Sequence, residues 1–354
     1  MKRKVAVLLH GLGSNGIDTL YANLAEYWNY DNLEITYFLA VDKEAKQFWE
    51  KRVSQTFVRI VHITDLDGRK LYQWPINLYK NLKEYGPFDV IHVNMDMLNG
   101  INLIVAKCAG IEKRVCHAHT SGNIEGNTRI KKIYISLMKI FIQIFSTDRI
   151  ACSDVAGNYF FGGGYELLYN GISLESKVKK CDLNIDSPVF ITVGRIVSPK
   201  RPMFIIELMH EILMRKKNAK LLWIGAGNLE EKVKEEAKKR EIFENIDFLG
   251  MQDNVNKFLN EADYFLLPSL YEGLSLALAE AQAAGLNCFV SDTVSRLSDC
   301  GGCIFLPLEK DAKYWANEIC SYIDSRTYQQ IDEKKLKKFD IKEMANVLEE
   351  IYAR

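Results

Sequence analysis

The sequence PSLYEGLSLALAEAQAAGLNCFVSD, residues 268–292, shows the local pattern that decides the fold class of this chain. The apolar run 264–267 before it predicts a buried strand of a parallel sheet, which Pro268 and Ser269 end. Residues 274–284 are good helix formers, and Gly285 is a typical C-terminal stop. Residues 288–290 then begin the next strand. The stretch therefore predicts one strand–helix–strand unit with the right-handed crossover of a parallel sheet.

Two carboxylates in this stretch point to a ligand. Glu272 lies at the predicted helix entry and Glu280 lies eight residues later, so a continuous helix would separate them by ~12 Å on nearly one face. The N–H groups of Gly273, Leu274 and Ser275 lie at the helix start, which is a ready anion site. This pattern fits a nucleotide-sugar: Glu272 for sugar hydroxyls, the amides for the diphosphate and Glu280 for the ribose.

Glu280 has an alternative interpretation as a surface charge on an amphipathic helix. Its neighbours between residues 276 and 284 are Leu and Ala apart from one Gln, so almost no polar face is left. A helix that is apolar all round is usually buried, and a buried carboxylate needs a partner. We therefore favour a ligand hydroxyl as the partner of Glu280.

The composition excludes several classes of protein. A chain of 354 residues predicts two domains, and 46 basic against 46 acidic residues predict no attraction to nucleic acid. The apolar run at residues 5–9 is too short for a signal peptide, and we expect no membrane span. Eight cysteines, several within apolar strands, are typical of buried thiols in a reducing compartment. The sequence therefore predicts a soluble cytoplasmic protein.

Two short motifs suggest other sites. Cys300 and Cys303 have the spacing of a redox or zinc site, but no second pair accompanies them, so we predict no metal site. Residues 11–16 read G-x-G-x-x-G between a predicted strand and a helix, which is the pattern of a dinucleotide site. Such a site needs an acidic residue at the end of the second strand. Asp42 comes late and Glu34 comes at that strand's start, so NAD binding remains an alternative.

Strand–helix alternation in both halves predicts doubly wound α/β sheets, which bind ligands beyond the carboxyl ends of their strands. His117 and His119 end one such strand, and we assign a functional role to His119 and a structural one to His117. After a charged linker at 173–187, the strand at 189–193 leads into GRIVSPKRP, residues 194–202. Arg195 and Lys200 in this loop could clamp a diphosphate.

The segment Arg129–Phe145, RIKKIYISLMKIFIQIF, combines many apolar residues with four basic ones and no acidic residue. One interpretation is a core helix with a basic end. The alternative is an interfacial helix that lies on an anionic membrane surface.

These motifs together resemble the family-four retaining glycosyltransferases of the GT-B fold, closest to the bacterial capsule and exopolysaccharide members. The resemblance covers most of the chain, in order, and rests on Asn15-Gly16, His117-Ala118-His119, Ala151-Cys152-Ser153, Phe161-Gly162, Asn170-Gly171-Ile172, Gly194-Arg195, Pro199-Lys200, Gly225-Ala226-Gly227 and the segment from Pro268 to Glu280. One departure is the first loop, where relatives commonly have two adjacent glycines instead of Asn15-Gly16 and Glu instead of Asp18.

The resemblance implies a role for each matching residue. Arg195 and Lys200 would hold the diphosphate, Glu272 the donor sugar, and His119 would line the face of the reacting sugar. Gly16 would let the first loop approach the phosphates, and Glu280 would hold the ribose. The predicted catalytic residues are therefore His119, Glu272, Arg195 and Lys200, and the predicted donor-binding residues are Gly16, Gly194, Gly225, Gly273, Leu274, Ser275 and Glu280.

The resemblance also implies an architecture: two Rossmann-like doubly wound domains that face a central cleft. Residues 1–175 would bind the acceptor, residues 176–336 would bind the donor, and the helix at 337–354 would pack back on the first domain. The implied reaction is retaining transfer of a sugar from a nucleotide-sugar, with a UDP-sugar as the expected donor. The implied acceptor is a lipid-linked oligosaccharide in capsule, exopolysaccharide or O-antigen synthesis. It implies no protein nucleophile and neither an obligatory metal nor another cofactor. The expected location is the cytoplasm, with peripheral contact with the inner membrane through Arg129–Phe145.

Other functions remain open on the sequence alone. One is a different enzyme of the same fold, such as a nucleotide-sugar epimerase or a glycogen-type polymerising transferase. Another is a catalytically inactive partner subunit that binds a glycan or a second transferase.

Overall fold

Parallel strands flanked by helices build both halves of the chain, in a computed structural model that describes residues 2–45, 47–64, 66, 71–120, 128–174 and 185–354. The chain divides into one unit of Met1–Gly171 with Ile341–Arg354 and a second unit of Ile172–Asp340. The predicted boundary at 175–176 and most of the predicted linker at 173–187 lie outside the described residues.

The first unit is built on a parallel sheet with the strand order β3-β2-β1-β4-β5-β6-β7. Its described strands are β1 (Arg3–Leu9), β2 (Leu33–Leu39), β3 (Arg59–His62), β4 (Val90–Val93), β5 (Lys113–Ala118), β6 (Asp148–Ala151) and β7 (Glu166–Leu167). The order reverses between β1 and β4, so the loops that follow these two strands diverge and leave a crevice at the sheet edge.

Helices flank this sheet. Those of the first unit are α1 (Gly16–Leu24), α2 (Glu50–Val53), α3 (Trp74–Tyr85), α4 (Asn99–Cys108), α5 (Arg129–Phe145), α6 (Asp154–Phe161) and, numbered by its place in the chain, α13 (Ile341–Ala353). α13 carries Leu348, Ile351 and Tyr352 into the core of the first unit, where all three are buried. Residues 337–340, predicted to start this helix, belong to the second unit.

The chain leaves the first unit at Gly171 and returns to it at Ile341, and these two residues lie next to each other. A Cβ on Gly171 would lie 2.6 Å from the Cα of Ile341, which no side chain tolerates. The N–H of Gly171 also lies 3.2 Å from the sulfur of Met344 on α13. Gly171 therefore packs directly against the first turn of α13, where a larger residue would not fit.

The second unit is built on a parallel sheet with the order β10-β9-β8-β11-β12-β13. Its described strands are β8 (Val189–Val193), β9 (Lys220–Ile224), β10 (Ile246–Gly250), β11 (Tyr264–Leu267), β12 (Asn287–Ser291) and β13 (Cys303–Leu306), and its described helices are α7 (Pro202–Leu213), α8 (Glu230–Lys239), α9 (Val255–Glu261), α10 (Leu276–Ala283), α11 (Ala312–Asp324) and α12 (Glu333–Lys337). The order reverses between β8 and β11. The predicted doubly wound α/β fold is thus confirmed in each unit.

Candidate active site

The loops after β8 and β11 meet at the point where the strand order of the second unit reverses. The N–H of Leu270 donates to the carbonyl of Pro199 at 2.8 Å, which joins the two loops directly. Next to this bond, the ammonium of Lys200 forms an ion pair with the carboxylate of Glu272. The structure therefore brings together two side chains that lie 72 positions apart in the sequence.

Two glycines allow this approach. Gly194 has φ +147° and Gly225 has φ +128°, both in the region that favours glycine. A Cβ on Gly225 would lie 2.0 Å from the carbonyl oxygen of Gly194, so no side chain fits there. Gly194 in turn lies against Lys200, whose amine would be 3.6 Å from its Cβ. Both predicted donor-binding glycines thus shape the loop that positions Lys200.

The turn before α10 is held by bonds to the segment that follows β12. The carbonyl of Glu272 accepts from the N–H of Ser295 at 3.2 Å. The N–H of Ser275 donates to Ser298 Oγ at 2.9 Å, and Ser275 Oγ accepts from the N–H of Leu278 at 3.4 Å. Ser275 is therefore the N-cap of α10.

These bonds correct two sequence predictions. The helix begins at Leu276 rather than residue 274, so the argument that Glu272 and Glu280 lie ~12 Å apart on one helical face does not apply. The N–H of Ser275, predicted to bind a phosphate, is already bonded to Ser298.

The remaining donors at this turn are open. The N–H groups of Gly273 and Leu274 donate to no residue that the structure describes. Arg195 is exposed, and its guanidinium pairs with no acidic group in the described ranges. Together with Lys200, these groups form a set of positive and N–H donors at one edge of the sheet. That set can bind the oxygens of a diphosphate.

Glu280 lies on α10, a helix whose Leu278, Ala279, Ala281 and Gln282 are buried. Its side chain keeps part of its surface accessible, yet burial raises the pKa of the carboxyl from 4.5 to about 7. No hydrogen bond or ion pair joins this carboxylate to the part of the chain that the structure describes. Glu280 is thus a partly buried carboxylate without a partner in the described chain, and its ribose-binding role stays a prediction.

In the first unit, two asparagines hold His119. Its Nε2 lies 2.9 Å from Asn94 Oδ1 and its Nδ1 lies 3.1 Å from Asn170 Oδ1. Asn94 Oδ1 also accepts from the hydroxyl of Tyr21 at 2.7 Å. Burial lowers the pKa of His119 to about 4, so the ring is neutral at physiological pH. A neutral imidazole has one donor and one acceptor nitrogen. An N–H on Nε2 can donate to Asn94 Oδ1, and Nδ1 then accepts a hydrogen bond from Asn170 only if that amide turns its NH2 group toward the ring.

This geometry changes the role predicted for His119. Both of its nitrogens face asparagine side chains of the protein, so the ring can offer a sugar its carbon face rather than a nitrogen. Sequence reasoning missed Asn94 and assigned no role to Asn170, which it named only as part of a motif. Asn94 follows β4 directly, as His119 follows β5, so the rule that selected His119 would also have selected Asn94.

His117 is buried, as predicted, and belongs to a chain of polar contacts inside the core. Its Nδ1 lies 3.3 Å from His92 Nε2, and His92 Nδ1 lies 2.6 Å from the hydroxyl of Tyr352. Burial lowers the pKa of both histidines. Tyr352 lies on α13, so the returning helix is bonded to the strand next to the one that carries His119.

The glycine-rich loop at residues 11–16 is stabilised mainly by the protein's own side chains. Asn15 Oδ1 accepts from the N–H groups of Ile17 and Asp18, both at 3.0 Å. Asp18 Oδ2 accepts from Gly13, and Gln47 Oε1 accepts from Leu12. Asp18 and Asn15, which depart from the family's pattern, therefore hold this loop.

Gly16 begins α1, and a Cβ there would meet nothing within 4 Å. Packing thus does not require this glycine. Glu34, one of the acidic residues considered for NAD, lies at the start of β2 and is 4.0 Å from the amine of Lys4 and 3.8 Å from the guanidinium of Arg59. A ribose-binding carboxylate belongs at the opposite end of that strand.

The segment Arg129–Phe145 forms α5, of which only Met138 and Ile142 are buried. Its exposed apolar side chains are Ile130, Ile133, Tyr134, Leu137, Ile140 and Ile144. The interpretation of this segment as a core helix is therefore wrong. In the described part of the chain, no helix combines the length and apolar character needed to cross a membrane.

Of the two cysteines with redox or zinc spacing, Cys300 lies before β13 and Cys303 begins that strand, in register with Cys288 of β12. The seven described cysteines are free thiols. Within the described ranges, no three His, Cys, Asp or Glu side chains are grouped so that they could hold a metal ion.

Residues 175–299 match the family of group 1 glycosyl transferases. The chain carries a group 1 glycosyltransferase domain. This match contains the loops after β8 and β11 and the whole of α10. The prediction of a glycosyltransferase is confirmed, and the match to the group 1 family covers residues 175–299.

Three curated relatives have similar sequences. The putative glycosyltransferase EpsF of Bacillus subtilis is 26% identical over 336 residues, which cover 90% of this chain and 87% of EpsF. The capsular polysaccharide biosynthesis glycosyltransferase CapH of Staphylococcus aureus is 28% identical, covering 82% and 83%. A UDP-Gal:α-D-GlcNAc-diphosphoundecaprenol α-1,3-galactosyltransferase of Escherichia coli is 27% identical, covering 61% of each chain.

A solved structure supports the fold. HepE of Anabaena in complex with UDP-glucose has a TM-score of 0.76 with 15% sequence identity, and the match covers 98% of each chain. At this identity the likeness establishes the fold alone, which is GT-B as predicted.

Proposed function

We propose that this protein is a retaining glycosyltransferase that moves a sugar from a UDP-sugar to a lipid-linked oligosaccharide in the synthesis of a capsule, exopolysaccharide or O-antigen. The observation that carries this proposal is the Lys200–Glu272 pair beside the open N–H groups of Gly273 and Leu274. The pair lies where a doubly wound sheet binds its ligand.

The donor is inferred from the site and from similar proteins. Cationic and N–H groups around Lys200 suit a diphosphate, and the carboxylate of Glu280, which has no partner among the described residues, suits ribose hydroxyls. The HepE structure contains UDP-glucose, and the name of the E. coli relative gives UDP-Gal as its donor. That name also gives a diphosphoundecaprenol acceptor, which supports a lipid-linked acceptor for this protein.

The proposed reaction breaks the bond between the anomeric carbon and the diphosphate. Arg195, Lys200 and the helix start would stabilise the negative charge that develops on the departing diphosphate. The acceptor oxygen forms the new bond on the same face of the sugar, and the hydroxyl proton goes to the departing phosphate oxygen. No protein nucleophile takes part, and because the protein supplies the positive charge, no obligatory metal or other cofactor is needed.

Glu272 has two partners in this proposal. Without donor it is paired with Lys200. When the diphosphate binds, its oxygens accept from the Lys200 ammonium, and the Glu272 carboxylate accepts from a hydroxyl of the donor sugar. Glu272 therefore orients Lys200 before binding and the sugar after it.

The apolar face of α5 supports peripheral contact with the cytoplasmic surface of the membrane. Six exposed apolar side chains share this helix with Arg129, Lys131, Lys132 and Lys139, and with no acidic residue. Each basic residue near an anionic bilayer contributes about 1 kcal/mol of attraction. This contact would bring the first unit to its lipid-linked acceptor.

A thermal-shift panel of UDP, GDP, ADP, NAD and several UDP-sugars tests the donor assignment. Binding to the native state raises the melting temperature, so UDP and one UDP-sugar should raise it while NAD should not. A shift with NAD alone would contradict the proposal. No shift with any nucleotide would favour a catalytically inactive, glycan-binding subunit.

Substitution of Glu272 tests its role separately. Glu272→Ala should abolish transfer while leaving UDP binding nearly unchanged, because UDP lacks the donor sugar and the substitution frees Lys200. The measurements are product formation and the UDP dissociation constant, with the exposed Glu309→Ala of the same unit as control. An equal loss of UDP binding would show that Glu272 does not act through the sugar.

A further inference from the structure

An open cavity of about 370 Å³ lies between α5 and α6 of the first unit. This volume is at the lower end of the range for small-molecule sites. Its apolar lining comes from Ile140, Ile144, Tyr159, Phe160 and Phe161. Phe160 and Phe161 are buried and form a fixed wall, whereas Ile140 and Ile144 are exposed. The cavity is thus an apolar groove with an open side.

Among the polar side chains that line the groove, Lys139 is the one that can bind a charged group of a ligand. Gln143 Nε2 donates to the carbonyl of Phe161 at 2.6 Å, so its amide joins α5 to α6. Asn158 Oδ1 accepts from the hydroxyl of Tyr165 at 3.2 Å. The Lys139 amine lies 4.0 Å from the ring centre of Tyr159 and forms no ion pair in the described part of the chain.

Lys139 is the group to which an anion would bind. Lys139 is partly buried with its amine over the ring of Tyr159, and this burial lowers the pKa of the amine. The Tyr159 ring replaces some of the water around the ammonium, but no carboxylate among the described residues balances its charge. A phosphate oxygen beside the amine would supply the missing countercharge.

We propose that the groove between α5 and α6 holds part of the alkyl chain of the lipid-linked acceptor, with Lys139 bound to a phosphate next to that chain. The inference rests on the proposed function and adds a binding site for its acceptor. Two observations favour this occupant. The groove combines an apolar wall with one cation that pairs with no described acidic residue, as a lipid phosphate requires. Ile140 and Ile144 belong both to the groove and to the exposed face of α5. A chain leaving the bilayer can therefore follow one continuous apolar surface.

The test measures binding of decyl phosphate to the full chain by titration calorimetry, without vesicles and below the micelle concentration. Ile144→Asp should weaken binding at least tenfold, because Ile144 lines the groove. Ile133→Asp is the matched control: Ile133 is 61% exposed and Ile144 63% exposed on the same helix, but Ile133 does not line the groove. Lys139→Gln should weaken binding of decyl phosphate but not of decanol.

Three results would overturn the inference. Equal weakening by Ile133→Asp and Ile144→Asp would show a general attraction to the helix face. Inorganic phosphate binding as tightly as decyl phosphate would show an anion site without a chain site. Unchanged binding of decyl phosphate to the Ile144→Asp protein would show that the groove does not hold the alkyl chain.

The melting-temperature shift with UDP, measured on the same proteins, separates this inference from the proposed function. The donor groups lie in the second unit, so neither substitution in α5 should change that shift. A normal UDP shift without alkyl-phosphate binding would reject only the acceptor groove. Alkyl-phosphate binding without a UDP shift would reject only the donor assignment.

Discussion

The substitution Glu280→Gln tests two effects of the buried carboxylate separately. One is its effect on the free energy of unfolding, and the other is its effect on nucleotide binding. The folded protein raises the pKa of this carboxyl from 4.5 to about 7 through burial. Between these two pH values the native state binds more protons than the unfolded state, so stability falls as the pH rises from 4.5 to 7 and stays lower above it. The full shift, reduced for the accessible part of the side chain, corresponds to about 2–3 kcal/mol.

Glutamine fills nearly the same volume and does not ionise. The stability of Glu280→Gln relative to the wild type should therefore increase by about 2–3 kcal/mol between acidic pH and about pH 8. Urea unfolding at several pH values measures this difference. Glu318→Gln, an exposed glutamate on α11, should follow the wild-type curve.

The same substitution should weaken nucleotide binding. Ribose hydroxyls would donate to the ionised carboxylate, so UDP binding should release a proton below about pH 7 and become tighter as the pH rises. A hydrogen bond to a charged group contributes about 1.5–3 kcal/mol, so Glu280→Gln should weaken UDP about tenfold or more at pH 8. Calorimetry in two buffers of different ionisation heat measures the released proton. Equal UDP affinity and proton release in both proteins would refute the ribose role of Glu280.

Three other substitutions test the roles assigned to Gly225, Gly16 and Asn94. Gly225→Ala places a methyl group 2.0 Å from the Gly194 carbonyl at a φ of +128°, so urea unfolding should show a loss of about 2 kcal/mol or more. Gly16→Ala enters open space and should keep the stability within about 0.5 kcal/mol, while transfer falls at least tenfold if a phosphate approaches there; unchanged kinetics would exclude that approach. Asn94→Ala removes the acceptor bonded to His119 and should cost about 1–3 kcal/mol in unfolding free energy; an unchanged urea midpoint would show that the bond is dispensable.

Local sequence patterns predicted the strands better than the helix ends. Apolar runs such as Val90–Val93 are wholly buried strands, as their composition indicates. The start of α10 was misplaced because Ser298, 23 residues after Ser275, binds the N–H of Ser275. A local pattern contains no information about that partner. The helix Pro202–Leu213 was not predicted, although proline at its first position is a recognised start signal.

The exposure of α5 could not be decided from its sequence. Its apolar residues outnumber its charges in either interpretation, and burial depends on which neighbours pack against it. In the structure only Met138 and Ile142 are covered. Likewise, the alternation that selected His119 could not show that Asn94 and Asn170 lie against its two nitrogens, because those residues come from separate segments.

The starts of α1 and α10 differ in how many of their N–H groups are already bonded. This difference explains why the diphosphate is assigned to the second unit rather than to the glycine-rich motif of the first. At α1, Asn15 accepts from the first helical N–H groups and Asp18 accepts from the N–H of Gly13. A diphosphate there would compete with bonds already made and approach the Asp18 carboxyl, whose pKa burial raises to about 6. Before α10, the N–H groups of Gly273 and Leu274 have no partner in the described chain. Because an unpaired donor gains more from a phosphate oxygen than a paired one, the motif that looks most like a nucleotide site is the weaker candidate.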